Sequence, residues 1–340
     1  MFWIITKETT AGDIAVTGTY LLTIKEGIET AGYTCCIWDG KSKIDKKKDY
    51  LIFDECKIAS LYILKGYHNI IVWIQGVVPE EAIMKGYAKY RYVVHSFLEY
   101  ITLRKSKLVF LCSDTMKKHY EKKYRIGISS KSIIMPCFNE TGVDLTSFNN
   151  PEKYQKDTFL YIGTLNVWQC FEETLQIYKA IEEKKPDETC LYIYTPNQAN
   201  AIAALKKYKV KNYKVGYLPA EQLGKNIGKF KYGFVLRRNN IVNQVATPTK
   251  LSNYIAHGII PIYSDCLKSF DEYEKKSNGY GVICNIEEPK EGVTRILNNM
   301  QEIIPHSEMK RWCENTFNTY YNQEKYIQLI GRYVKNFLLK

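Results

Sequence analysis

The stretch from Tyr232 to Asp265, YGFVLRRNNIVNQVATPTKLSNYIAHGIIPIYSD, leaves the chain few choices of fold. It opens with an apolar run, Tyr232 to Arg238, that ends in two arginines, and it closes with another, Ile259 to Ser264. Short apolar runs bounded by turn signals are the pattern of strands buried on both faces. Between them lie a polar loop, then Thr247-Pro248-Thr249-Lys250, then a helical pattern that Gly258 stops. Proline pre-sets the first helical turn and glycine takes the left-handed residue after the last one. The segment therefore predicts strand, loop, helix and strand, one βαβ unit of an α/β fold. The start of that helix is also an electrostatic feature. Its unpaired backbone N–H groups and the positive end of its dipole favour an anion, and Lys250 and Arg237 can add charge-assisted hydrogen bonds. A diphosphate suits such a cradle. The plainer alternative is a solvated helix lysine and arginines that flank a strand end.

The same rhythm runs through the rest of the chain. Phe2 to Thr6 is a strand pattern, followed by the small-residue loop Thr9 to Asp13 and an amphipathic stretch to about Ala31, which is how a Rossmann-like half begins. Cys35 to Trp38, Tyr50 to Phe53, Ile70 to Ile74, Lys107 to Cys112 and Lys131 to Pro136 are further strand candidates, and a helix is expected over about Tyr87 to Leu103. Asn139 to Asp157 is polar and breaks every period, so it reads as an interdomain linker. Thr158 to Ile162 then restarts the pattern, with Gly163-Thr164-Leu165 and a helix near Phe171 to Glu183. Leu191 to Tyr194, Tyr213 to Tyr217 and Tyr280 to Cys284 complete the strands, with helices expected over 221–227, 289–303, 309–317 and 326–338. A second Rossmann-like start after a linker argues for two similar domains, and 340 residues suit two domains of about 150 each.

Charge bounds the partners. The net charge is +12, and both halves carry it: residues 1–150 hold 21 basic and 16 acidic side chains, the remainder 27 and 20. A distributed excess favours an anionic partner such as a nucleotide, a lipid diphosphate, an anionic bilayer or a nucleic acid. No nucleic-acid recognition motif accompanies it, so nucleic acid is not expected. The ten cysteines show no C-x-x-C pair and mostly lie in apolar runs, which points to buried thiols in a reducing compartment and not to a zinc site or a disulfide scaffold. No apolar run approaches the roughly 18 residues of a membrane span, and MFWIITKETT lacks the basic prelude of a signal peptide, so a cytoplasmic protein is expected. The lysine-rich turn Lys41 to Lys48 is either a solvated loop or a contact with acidic headgroups, and the terminal Phe337-Leu338-Leu339 belongs either to a core-packed last helix or to a membrane contact.

The order LR, N, A-x-P-T-K-L, Y-I-A-x-G, I-P-I, together with W-I-Q-G-V-x-P-E-E at Trp73 to Glu81, resembles family 4 glycosyltransferases with the GT-B fold, in the branch that builds bacterial capsular and other surface polysaccharides. The resemblance implies two Rossmann-like domains facing each other across a cleft. One is an acceptor domain over 1–145, which the last helix, about 318–340, crosses back to join; the other is a donor domain over 155–317. It further implies a nucleotide diphosphate sugar as donor, a glycan or polyprenyl-diphosphate-linked acceptor, retention of anomeric configuration, and no metal or other cofactor. The absence of any D-x-D from the sequence fits that last expectation.

Onto this sequence the resemblance puts Arg237 and Lys250 at the departing diphosphate. Arg238, Asn243, Thr247, Pro248, Thr249, Leu251 and Asn253 line the donor around them. Gly163 and Thr164 are placed by the phosphates, and Tyr194, Tyr217 and Leu218 at the base. Gln75, at the carboxyl end of its strand, is the third candidate for chemistry, with Gly12, Asp13 and Gly76 on the acceptor side. His95 and Glu99, four apart on a helix, are a conceivable acid–base pair or a plain interhelix contact. Two departures stand out. The family's pair of glutamates falls on Val245 and Asn253, and its cations after the first donor-domain strand fall among Asn166, Val167, Trp168 and Gln169. The readings that follow are a glycosyltransferase and, alternatively, a GT-B module that binds a nucleotide or anionic glycan without turnover.

Overall fold

The computed structural model describes residues 1–6 and 17–338. Gly12 and Asp13 lie outside the described residues. In chain order the elements are β1 (Phe2–Ile5), α1 (Thr17–Thr30), β2 (Cys35–Ile37), β3 (Tyr50–Phe53), α2 (Cys56–Leu64), β4 (Ile70–Ile74), α3 (Val78–Met84), α4 (Lys89–Lys105), β5 (Leu108–Leu111), α5 (Asp114–Tyr124) and β6 (Ser132–Ile134). They continue with β7 (Asp157–Ile162), α6 (Phe171–Lys184), β8 (Thr189–Tyr194), α7 (Gln198–Lys207), β9 (Tyr213–Gly216), α8 (Ala220–Ile227), β10 (Tyr232–Val235), α9 (Ile241–Val245), α10 (Thr249–Ala256), β11 (Ile260–Tyr263), α11 (Lys268–Ser277), β12 (Val282–Ile283), α12 (Pro289–Met300), α13 (His306–Thr319) and α14 (Gln323–Tyr333). The chain divides into two compact units, Met1–Asn139 with Asn322–Lys340, and Glu140–Tyr321.

In the first unit six parallel strands run in the order β2-β1-β3-β4-β5-β6. β3, β4 and β5 are buried along their whole length, as the unbroken apolar runs require of a sheet covered on both faces. Ser113 caps α5 by accepting from the Met116 N–H at 3.1 Å. The last helix belongs to this unit and packs on α1. Gly27 lies so close to Ile330 that a Cβ there would stand 2.6 Å from the Ile330 Cβ. Gln323 donates to the Thr23 hydroxyl at 3.0 Å, and Tyr50 to the Leu338 carbonyl at 2.7 Å.

In the second unit six parallel strands run β12-β11-β10-β7-β8-β9. The polar stretch before β7 is not a free tether. Asp144 and Asn150 cap two short 3-10 turns, Leu145–Phe148 and Pro151–Gln155. Between those turns and the rest of the unit, the buried Lys153 ammonium donates to the carbonyls of Ser147, Gly228 and His257 at 3.2, 3.1 and 2.6 Å. Periodicity misses such a segment because its fold rests on side-chain-to-backbone bonds and not on an apolar period. The loop after β10 likewise contains a five-residue helix, α9, started by Asn240, whose carboxamide oxygen accepts from the Asn243 N–H at 3.1 Å. Gly233 is set by packing: a Cβ there would stand 2.5 Å from the Tyr254 ring, which lies on β10 and directs its hydroxyl to the Leu160 and Phe234 carbonyls.

Candidate functional site

The strand order of the second unit fixes where a ligand can sit. From β7 the chain goes one way to β8 and β9 and the other way to β10, β11 and β12, so the loops after β7 and β10 diverge at their carboxyl ends. Such a topological switch point is where open parallel sheets bind ligands. The loop after β7 carries Gly163 and Thr164, and that after β10 carries Arg237 and Arg238. α10 brings Lys250 to the same place. Its Nζ lies 4.2 Å from the centroid of the Tyr161 ring, and a Cβ on Gly163 would come within 3.1 Å of its Cε. Gly163 therefore serves twice, once for its φ of +113° and once for the room it leaves the lysine.

Both cations are buried, Arg237 at 3% and Lys250 at 7% of full exposure. The Arg237 guanidinium donates from Nη2 to the Gln169 Oε1 at 2.8 Å and from Nη1 to the Leu236 carbonyl at 2.8 Å, and its backbone N–H donates to the Ser264 hydroxyl at 3.0 Å. Lys250 Nζ has no hydrogen-bond partner among the described residues. Neither side chain forms an ion pair with a described carboxylate. Burial drives the Lys250 ammonium well below the usual lysine pKa, and the positive charge of Arg237 lowers it further. Burial lowers the Arg237 value too. Two buried cations with only neutral partners are costly, and an anion between the loops would offset that cost.

The other donor-side candidates gather around these two. Asn243 is buried and donates from Nδ2 to the Arg238 carbonyl at 3.0 Å, which braces the loop after β10. Arg238 is exposed and binds Glu173 of α6, through Nε at 2.9 Å and through Nη2. Pro248 stands at the N-cap of α10, Thr249 is its first residue, and Thr247, Leu251 and Asn253 are buried. Among the described residues Asn253 Oδ1 has no hydrogen-bond partner, and Val245 is wholly buried. Thr164 is exposed and its hydroxyl accepts from Asn166 Nδ2 at 2.9 Å. Tyr194 ends β8 half-buried, Tyr217 follows β9 exposed, and Leu218 is half-buried beside it. Sequence reasoning did not find Tyr161, whose strand alternation looks like plain core. It also gave Gln169 no part: in the resemblance that position marks only a missing cation, whereas the fold makes it the partner of Arg237.

The first-unit candidates fall into two groups. Gln75 is exposed at the end of β4, and the Gly76 carbonyl accepts from the Tyr120 hydroxyl at 3.2 Å. Glu99 is buried and accepts from Tyr120, Tyr124 and Lys123 at 3.1, 2.5 and 3.2 Å, and burial raises its pKa. No hydrogen bond joins it to His95, which is held below its usual pKa by burial and by Lys57 and Arg91. Among the described residues no group of three or more His, Cys, Asp or Glu side chains could hold a metal ion, and no helix is long and apolar enough to cross a membrane.

No protein-family model and no curated protein matches the sequence. Solved structures do match. WaaG, a glycosyltransferase involved in lipopolysaccharide biosynthesis, superposes with a TM-score of 0.63 at 12% identity over 97% of this chain and 99% of its own. The fold is GT-B. A trehalose-6-phosphate structure from E. coli with UDP-2-fluoro glucose bound gives 0.62 at 11% identity, over 95% and 79% of the two chains. TarM from S. aureus, in complex with fondaparinux, alpha-GlcNAc-glycerol and UDP, gives 0.64 at 11% over 86% of this chain, which spans only 56% of the TarM chain.

Proposed function

We propose that the chain is a glycosyltransferase that moves a sugar from a nucleotide diphosphate donor to a glycan or polyprenyl-diphosphate-linked acceptor in surface polysaccharide synthesis, with retention, in the cytoplasm at the inner face of the membrane. The observation that carries the reading is the pair Arg237 and Lys250, buried at a switch point with no ion pair to a described carboxylate. The neighbouring folds, which include structures holding UDP and a UDP-sugar, support the same class of ligand. In transfer, the bond from the anomeric carbon to the diphosphate breaks, the acceptor hydroxyl oxygen bonds that carbon on the same face, and its proton passes to the leaving phosphate oxygen. The charge that develops on the diphosphate is what Arg237 and Lys250 would stabilise, with the α10 N-terminus behind them. This needs no protein nucleophile and no metal in the role of counter-charge.

The test is release of free nucleotide diphosphate from a nucleotide-sugar library in the presence of a glycan or lipid-linked acceptor extract. Lys250→Ala should lower turnover by about 2.7 to 4 kcal/mol of transition-state stabilisation, as loss of one fixed donor does. Near-normal turnover of the purified variant refutes the assignment. Val245 and Gln169 favour a second reading, a GT-B module that binds the nucleotide without turnover. Calorimetric binding with no release under any acceptor would support the module over the enzyme.

A further inference from the structure

Helix α4 buries polar side chains beside Leu103 and leaves a row of apolar ones exposed. Its buried residues include Glu99 and Thr102, which bond to α5 and to the Cys56 carbonyl at the start of α2. Its outer face carries Tyr90, Val93, Val94 and Phe97, spaced i, i+3, i+4 and i+7, with Val93 65% and Phe97 59% exposed. Ile83 and Tyr87 extend this apolar surface onto α3 and the turn that follows it. A contiguous exposed apolar face of this kind marks a contact surface.

The charges around it select the partner. From Cys56 to Lys105, all seven lysines and arginines are exposed, whereas the three carboxylates, Glu80, Glu81 and Glu99, are buried or half-buried. Arg91 lies over the Tyr87 ring at 4.7 Å, which ties the cationic rim to the aromatic surface. A second copy of the chain would set this cationic face against itself, since a two-fold contact pairs the same patch on both subunits. An anionic bilayer meets both demands at once. Apolar side chains enter the acyl boundary, tyrosines sit at headgroup level, and lysines and arginines meet lipid phosphates.

We propose that the α3–α4 face is a docking surface for an anionic lipid bilayer, with Tyr90, Val93, Val94 and Phe97 entering the interface and Lys85, Lys89 and Arg91 on headgroup phosphates. This deepens the inner-face attachment proposed above, and its test needs neither donor nor acceptor, so its failure would leave the transfer reaction untouched. The full chain is to be sedimented with vesicles of phosphatidylcholine alone and of phosphatidylcholine with phosphatidylglycerol, at low and at physiological salt. Binding is expected to the anionic vesicles only. The double variant Lys89→Ala/Arg91→Ala should partition about 30-fold less, from roughly 1 kcal/mol per cation near the surface. Val94→Ser/Phe97→Ser should lose the binding that survives at physiological salt. Phe97→Trp keeps the bulk of the side chain, and its added emission should move to the blue with anionic vesicles. Circular dichroism checks that each variant is folded. The proposal is overturned if the wild type does not sediment with anionic vesicles, if both double variants partition like it, or if sedimentation equilibrium shows a dimer that Val94→Ser/Phe97→Ser splits.

Discussion

Replacing Lys250 by methionine should lower activity while raising stability, because the ammonium is held where only a ligand can compensate it. The side chain is 7% exposed, its Nζ has no hydrogen-bond partner among the described residues, and Arg237 adds a like charge. Methionine keeps the length and the apolar contacts with Tyr161 and Gly163 and removes the charge. Turnover should fall about 100- to 1,000-fold, the loss of one fixed donor at a developing anion. Stability should rise by about 1 kcal/mol or more, since well-packed apolar replacements of buried charges are often stabilising. In a unit of this size that is a gain of about 2 to 4 °C in Tm for each kcal/mol. The pH dependence has a definite sign. The folded pKa lies below the unfolded one, so the wild type bears the full penalty below the folded value and sheds it as pH rises towards about 10.4. The advantage of methionine should therefore shrink on the alkaline side. Binding gives an independent readout: a diphosphate raises the depressed lysine pKa, so at a pH between the free and bound values, where UDP is fully ionised, the wild type should take up protons on binding UDP. The calorimetric heat should then vary with the buffer in the wild type and not in Lys250→Met. A variant that unfolds at lower temperature and keeps normal turnover refutes the argument, because Lys250 would then be a structural group.

Gly163→Ala should both strain the loop, whose φ is +113°, and press on Lys250, at a cost of about 1 to 3 kcal/mol and with weaker UDP binding; unchanged melting and binding would contradict this. Gly233→Ala places a methyl 2.5 Å from the Tyr254 ring and should lower Tm of the second unit by overpacking, about 1 to 3 kcal/mol, read by chemical denaturation. Burial lifts the Glu274 carboxyl to about 7, above its unfolded value, so the wild type loses stability as pH rises through that window. Glu274→Gln should gain on it by about 1.4 kcal/mol per pH unit between about 5 and 7, and parallel denaturation midpoints for the two proteins across that range would count against the buried carboxyl.

The sequence by itself determined where the strands of this protein lie and several of its helices, whereas α2, α3, α7 and α11 were not legible in it. Twelve apolar runs mark its twelve strands among the described residues, and Pro248 and Gly258 mark the ends of α10, because burial period, proline and glycine act over a few residues. Segments held by side-chain caps were less legible: the stretch around Lys153 reads as a linker, and α9 as loop. Tertiary structure alone decided what the α10 lysine is. On the sequence Lys250 is a solvated helix residue or an anion ligand with equal ease. Only the order β12-β11-β10-β7-β8-β9 puts the ends of β7 and β10 side by side and folds α10 over them. That order is chosen by long-range packing of whole elements and leaves no local trace. The same holds for α4, whose Tyr90, Val93, Val94 and Phe97 face outward while Glu99 and Thr102 are buried against partners on α5 and α2, a fact of neighbours and not of period.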